Sequence, residues 1–359
     1  MATPVSHLAK TSLGLALQGG GSHGAFTWGV LDRLLEERSL RLTGISGTSA
    51  GAMNAVALAS GLMEGGREGA RAALRRLWTR VGEINPFGGL AHAPGAPWVD
   101  PDSPWAAPWL EPIRSYAQWL STQASPYQLN PLNLNPLRDI LRDTIDFDRV
   151  RACHRTQLFI AATRVKTGEL RIFRQDELSP EVVLASACLP LLFQAVEIDG
   201  EAYWDGGYAG NPSLLPLVLE SPGDDLLLVQ INPAQREELP VRANEILDRI
   251  NEVTFNASLL KELRNIVLLK QVLAAEGWAA RRLRSPVFRR IAALRLHRVD
   301  GGPELAALGA GSKTRTDAAF LERLFQQGRE AAQAWLERHR ADIGARSTLA
   351  LELDAGGLN

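Results

Sequence analysis

Three short glycine-rich stretches hold the residues that could do chemistry: Gly47-Thr48-Ser49-Ala50-Gly51, Gly19-Gly20-Gly21-Ser22-His23-Gly24 and Asp205-Gly206-Gly207. The first has the form G-x-S-x-G. It sits where an apolar run of strand character (42–46) meets an alanine-rich run of helical character (50–60). Glycines two before and two after the serine let strand and helix approach with no Cβ between them. The hydroxyl of Ser49 is then exposed on a strained turn beside a helix N-terminus. There, unpaired N–H groups and the dipole favour negative charge. A nucleophilic serine needs those conditions. Alone, the pentapeptide is weakly specific, because Gly, Ser and Ala are common residues.

The 19–24 loop follows the first apolar run (13–18), precedes a helical stretch (25–37) and also reads G-x-G-x-x-G. Two interpretations compete. In a dinucleotide site the loop holds a pyrophosphate and an acid at the end of the second strand holds the ribose. Here that strand ends Thr43-Gly44-Ile45-Ser46, without an acid. The alternative is that the Gly20 and Gly21 amides face an oxyanion developing beside Ser49, where one such donor is worth about 3–4 kcal/mol.

A serine nucleophile needs a base. Of six histidines, only His297 and His339 follow Ser49 in the order of a Ser-Asp-His triad with the histidine last. Both lie in arginine-rich helical context and read as surface residues. Asp205 is the better partner: it ends a short apolar strand and enters a turn whose glycines permit positive φ. Taken singly, an aspartate in D-G-G is an ordinary turn residue.

In this order the three stretches resemble the patatin-like phospholipases, and the run Ala185-Ser186-Ala187-Cys188-Leu189-Pro190 extends the resemblance. It covers about residues 12–215. The resemblance implies a three-layer α/β/α fold around a mainly parallel sheet. It implies a Ser-Asp dyad in which Ser49 attacks an ester carbonyl and Asp205 is the general base. The loop Gly19, Gly20, Gly21, Ser22, His23, Gly24 would form the oxyanion hole. Gly47, Thr48, Ala50 and Gly51 would form the nucleophile elbow, and Gly206 and Gly207 the aspartate turn. No metal or other cofactor is implied. One departure stands out: the family usually has Lys or Arg where this chain has His23. A titratable group there predicts activity that depends on pH near neutrality.

The elements that must position these residues follow from the pattern. Residues 12–60 alternate strand, loop and helix twice, a βαβα start that implies parallel strands with right-handed crossovers. Residues 85–136 hold ten of the twenty prolines and four of the nine tryptophans, Trp98, Trp105, Trp109 and Trp119. Proline at that density forbids long helices. The segment reads either as an insertion packed on the surface or as a lid over an apolar cleft. Hairpins are expected around Lys166-Thr167-Gly168 and Asp199-Gly200, an apolar strand at 226–231, and long helices at 242–276 and 316–340. The division is a catalytic domain at 12–220 and, at 221–345, a last core strand with a helical C-terminal region packed on it.

Composition narrows the partners. With 359 residues, 45% hydrophobic, 22% charged and net charge −1, the chain has the balance of a globular enzyme and no global attraction to nucleic acid. Cys153 and Cys188 have no disulfide or metal spacing. No apolar run reaches transmembrane length and the run at 13–17 is too short for a signal core, so a cytoplasmic location is expected. Between 261 and 298, ten basic residues and two acids interleave with Val267, Leu268, Leu269, Trp278, Val287, Phe288, Ile291 and Leu294. That pattern reads as a helix with a solvated basic face or as a peripheral contact with an anionic inner membrane face. The expected function is a serine lipid acyl hydrolase of phospholipase A type acting on a lipid or other acyl ester. The alternatives are an esterase or thioesterase on non-lipid substrates, and a non-catalytic lipid- or nucleotide-binding module.

Overall fold

The computed structural model describes residues 11–84, 125–236, 238–276 and 284–349, with short strands at Leu353–Asp354 and Gly357–Leu358. The four tryptophans of the proline-rich segment and Trp278 lie outside the described residues.

The chain opens with β1 (Thr11–Leu17), α1 (Gly24–Glu36), β2 (Leu40–Gly47) and α2 (Ala50–Ile84). α2 comprises two helices meeting at a kink, Gly65 (φ −151°) and Gly66 (φ 64°). The second value lies in the left-handed region that glycine occupies at little cost. Then follow α3 (Pro136–Thr144), β3 (Gln157–Arg164), β4 (Leu170–Arg174), α4 (Pro180–Ser186), β5 (Val196–Ile198) and β6 (Glu201–Asp205). The β5–β6 turn has Asp199 at φ 52° and Gly200 at φ 79°. Such primed turns match the twist of paired strands. α5 (Leu215–Glu220), β7 (Asp225–Gln230), α6 (Ala243–Ala275), α7 (Pro286–Ala293), β8 (Arg295–Asp300) and α8 (Ala318–His339) complete the fold.

The central sheet runs β5-β6-β3-β2-β1-β7-β8, with β4 also on β3. The β3–β2, β2–β1, β1–β7 and β7–β8 pairs are parallel, and the pairs of β3 with β4 and β6 and of β5 with β6 are antiparallel. Side chains alternate between two cores, as a strand period of two demands. Leu13, Leu15 and Leu17 of β1, with Leu227 and Val229 of β7, face one core together with α1, α2, α4 and α8. Ala16, Leu226 and Leu228 face the other with α5, α6 and α7. The result is a three-layer α/β/α architecture. On one face α1 and α8 cross closely: a Cβ on Gly29 would sit 2.0 Å from the Phe325 carbonyl, and one on Gly328 2.0 Å from that of Phe26. Any side chain at either position would push the helices apart.

The basic stretch near 261–298 is not one amphipathic helix. It comprises the end of α6, α7 and the strand β8. Much of its charge is used inside the molecule. Lys270 bonds the Leu294 carbonyl, Arg290 that of Ser221, Arg295 the carboxylate of Asp225, and Arg298 that of Asp300. Among the described residues no helix is long and apolar enough to cross a membrane.

Candidate active site

Strand register brings Ser49 and Asp205 together. On β3, Phe159 and Ile160 pair with both β2 and β4, so β2 and β4 lie on opposite edges. Ala162 and Thr163 pair with both β4 and β6, so β6 shares the β2 edge. β2 runs up that edge to Gly47 opposite Ile160, and β6 runs down it to Asp205 opposite Ala162. The two strands meet head to head. The turn after β2 carries Ser49 and the end of β6 carries Asp205 into the same gap.

Ser49 sits between Gly47, which ends β2, and Ala50 and Gly51, which begin α2. Its φ is 55°, a conformation that costs a non-glycine residue of order 1–3 kcal/mol and persists only where neighbours impose it. They do so here. The Thr48 hydroxyl donates to the Gly210 carbonyl (2.7 Å), and the Ser49 N–H donates to Ser186 Oγ (2.9 Å). The run 185–190 holds the other partner too, since the Asp205 N–H donates to the Cys188 carbonyl at 2.8 Å. One segment at the end of α4 therefore anchors both groups.

Asp205 is fully buried. Its Oδ1 accepts the Gly207 N–H at 2.7 Å, inside the turn that Gly206 and Gly207 begin. Its Oδ2 has no hydrogen-bond partner among the described residues. Burial pushes its pKa up to about 7, against the opposing pull of the Gly207 amide, the Ser49 hydroxyl and Lys313. The hydroxyl is thus close enough to influence the carboxylate, yet no Ser49–Asp205 bond meets ordinary geometry. The pair is juxtaposed with one oxygen lone pair free to take a proton.

The glycine loop leaves β1 at the same sheet edge, because Leu17 pairs with Gly47. Gly19 lies directly on Ser49: a Cβ there would sit 2.7 Å from both Ser49 Cβ and the Thr48 carbonyl. Its peptide groups are clamped. The Gly19 N–H donates to Asn211 Oδ1 (2.6 Å), and its carbonyl accepts from Asn232 Nδ2 (2.7 Å). Gln18 bonds the backbone of Ile231 and Asn232 and the side chain of Asn256. In a trans peptide the carbonyl and the next N–H point oppositely. Pinning the Gly19 carbonyl to Asn232 therefore aims the Gly20 N–H away from it. The Gly20 and Gly21 amides donate to no acceptor among the described residues. Gly24 closes the loop against Ala50, whose Cβ a Gly24 side chain would approach to 2.5 Å. The Ser22 hydroxyl is buried without a partner.

His23 is not the neutral-range titratable group its residue type suggests. It is 2% exposed, and its Nε2 lies 2.7 Å from Ser312 Oγ. That hydroxyl spends its hydrogen on the Gly309 carbonyl, so the imidazole donates from Nε2. Nδ1 is left buried and bare. Burial, then the charge of Lys313, push its pKa down to about 3. The ring is neutral at any pH near neutrality.

His297 is not a surface residue either. It is wholly buried on β8, bonded to Asp225 Oδ1 and Thr348 Oγ1 at 3.0 Å each. Three strand spacings, about 14 Å, separate β8 from β2. His339 bonds Asp342 at the end of α8. Cys188 is an inert neighbour: burial, then Asp205, push its thiol up to about 12. Gln18, Asn211, Asn232 and Lys313 were not singled out by the sequence patterns. Only the Asn211-Pro212 pair, shortly after the D-G-G turn, hinted at a fixed turn there.

A family model described as patatin-like phospholipase matches residues 15–218. Among solved structures, VipD from Legionella pneumophila aligns with 16% identity over 92% of this chain and 67% of that one, with a TM-score of 0.41. Among curated proteins, none matches the chain.

Proposed function

The chain belongs to the patatin-like phospholipase family, and from that premise we propose that it hydrolyses lipid carboxylic esters, in the manner of a phospholipase A, through an acyl-Ser49 intermediate. The observation that carries this reading is a serine held at φ 55° beside a buried aspartate whose Oδ2 has no partner.

In the reaction, Ser49 Oγ attacks the ester carbonyl while Asp205 Oδ2 accepts its proton. The Gly20 and Gly21 amides donate to the developing oxyanion, in a site dry enough for such bonds to count. Collapse of the tetrahedral species expels the alcohol, which leaves with the proton from Asp205. Water then attacks the acyl-serine. Asp205 takes a proton from it and returns one to Ser49 Oγ as the fatty acid departs. No step calls on a histidine: the ring of His23 is committed to Ser312 and that of His297 to Asp225. Residues 12–220 carry nucleophile and base, and 221–345 contributes Asn232, which orients the glycine loop.

The test is labelling by a fluorophosphonate probe. Wild type labels and Ser49→Ala does not; equal labelling overturns the hydrolase reading. A chain-length series of p-nitrophenyl esters beside a phospholipid separates lipid from non-lipid substrates, with turnover of the phospholipid expected. We also place the lipid surface at this edge, where Leu191, Tyr208 and Leu215 are exposed close in sequence to the base. Vesicle co-sedimentation should fall when Leu191 and Leu215 are both changed to Ser, and unchanged recovery would remove that surface.

A further inference from the structure

A cation reaches this site from the far end of the chain. The 3-10 turn Ala310–Thr314 is docked on the glycine loop at two successive residues. Ser312 Oγ accepts from His23 Nε2, and the Lys313 carbonyl packs so tightly on Gly21 that a Cβ there would lie 2.3 Å from it. The Lys313 ammonium points inward and donates to Asn232 Oδ1 at 2.7 Å. The same Asn232 donates through Nδ2 to the Gly19 carbonyl. Lys313 thus fixes which way the Asn232 amide faces, and Asn232 fixes the Gly19–Gly20 peptide. With its oxygen held by an ammonium, the amide can only offer its N–H to Gly19.

We propose that Lys313 is the positioning cation of this site, orienting the glycine loop through Asn232 and favouring the ionised, proton-accepting form of Asp205. The inference rests on the Ser49–Asp205 reading and names a residue outside every motif that suggested it. Geometry places it there through a chain of two hydrogen bonds and a backbone contact. The electrostatics agree: Lys313 is among the groups that lower the pKa of Asp205, and it also disfavours a proton on His23. The charges facing Lys313 are Glu252 and Asp248 on α6, Arg236 on the segment after β7, and Asp205. Glu252 is already paired with Arg236 and Arg249. The strand-end aspartate is therefore one of several carboxylates sharing the field of Lys313, and the effect on it is partial.

The test is the pH profile of kcat/KM for Lys313→Met, Lys313→Gln and Lys313→Arg on one p-nitrophenyl ester, with Ser49→Ala as control. Wild type should lose activity as pH falls through about 7, where Asp205 takes up its proton. Met and Gln remove the charge, so the acid limb should move upward by roughly half a pH unit or more. At neutral pH kcat should fall about three- to tenfold, since each unit of upward shift leaves tenfold less ionised base below it. KM should change little, because Lys313 does not touch substrate. Arg should restore the limb. Gln keeps a donor for Asn232 Oδ1, so it reads the charge even if Met does not fold. An acid limb that stays in place in the folded variant, with activity lowered equally at all pH, assigns Lys313 a purely structural role and overturns the proposal. Activity that does not depend on Ser49 would instead overturn the hydrolase reading.

Discussion

Two aspartates are buried on the same sheet and live opposite lives. Asp225, at the start of β7, is surrounded by donors: His297 Nε2, Arg295 through both Nε and Nη2, and the Gly344 N–H. Burial alone would raise its pKa, but these bonds outweigh it and hold the carboxyl well below the usual range. Asp205, at the end of β6, has a single backbone donor and an orphan oxygen, and burial pushes it up to about 7. Supplying every lone pair makes a carboxylate a strut, whereas withholding one partner makes it a base. The cost of the second arrangement is met by the surrounding fold, which the first helps to hold.

The sharpest way to break this contrast is Asp205→Asn. Hydrolysis should fall by about 10³-fold or more, as when a member of a catalytic unit is removed. A loss below tenfold would make Asp205 a strut like its counterpart. Next in size is Asp225→Ala. It strands Arg295 and the buried His297, and should cost about 3 kcal/mol in urea unfolding, a loss seen when buried pairs are broken. Labelling per folded molecule should stay unchanged. If labelling falls while stability holds, the two regions are not separate in role.

The smallest effect carries a sign. The folded pKa of Asp205 lies above the unfolded value of 3.8. Between about pH 4 and 7 the native state holds a proton that the unfolded state has released, so stability falls as pH rises through that window. Above about 7 the loss is complete. Asparagine does not titrate, so Asp205→Asn should be more stable than wild type at about pH 8 by roughly 1–3 kcal/mol, and by little at about pH 5. An equal difference at both pH values would show that the native carboxyl is not raised.

The parts of the site that were readable in the sequence are those where chemistry demands particular residue types in a continuous turn. Ser49 needs flanking glycines to hold φ 55°, and Gly19 cannot carry a side chain so close to Ser49. Asp205 needs Gly206 and Gly207 to turn directly away from β6. The residues that were not readable act by long-range pairing. Asn211 and Asn232 bond Gly19 across 192 and 213 residues, and no local pattern distinguishes them from ordinary loop asparagines. His23 and His297 were misjudged for one reason: a histidine titrates or not according to burial and partners, and neither is written in its neighbours along the chain.

The sequence by itself determined the alternation of strands and helices and the local turns that present a serine, an aspartate and unbonded amides. Glycine placement and apolar periodicity act over a few residues and leave little choice. Only the tertiary structure decided that β2 and β6 meet head to head on one edge of β3, putting the serine beside the base. It also decided that His23 is silent, and that Lys313 reaches the loop through Asn232. Those outcomes depend on strand register and on which polar groups lose water together, and both are set only when distant segments pack.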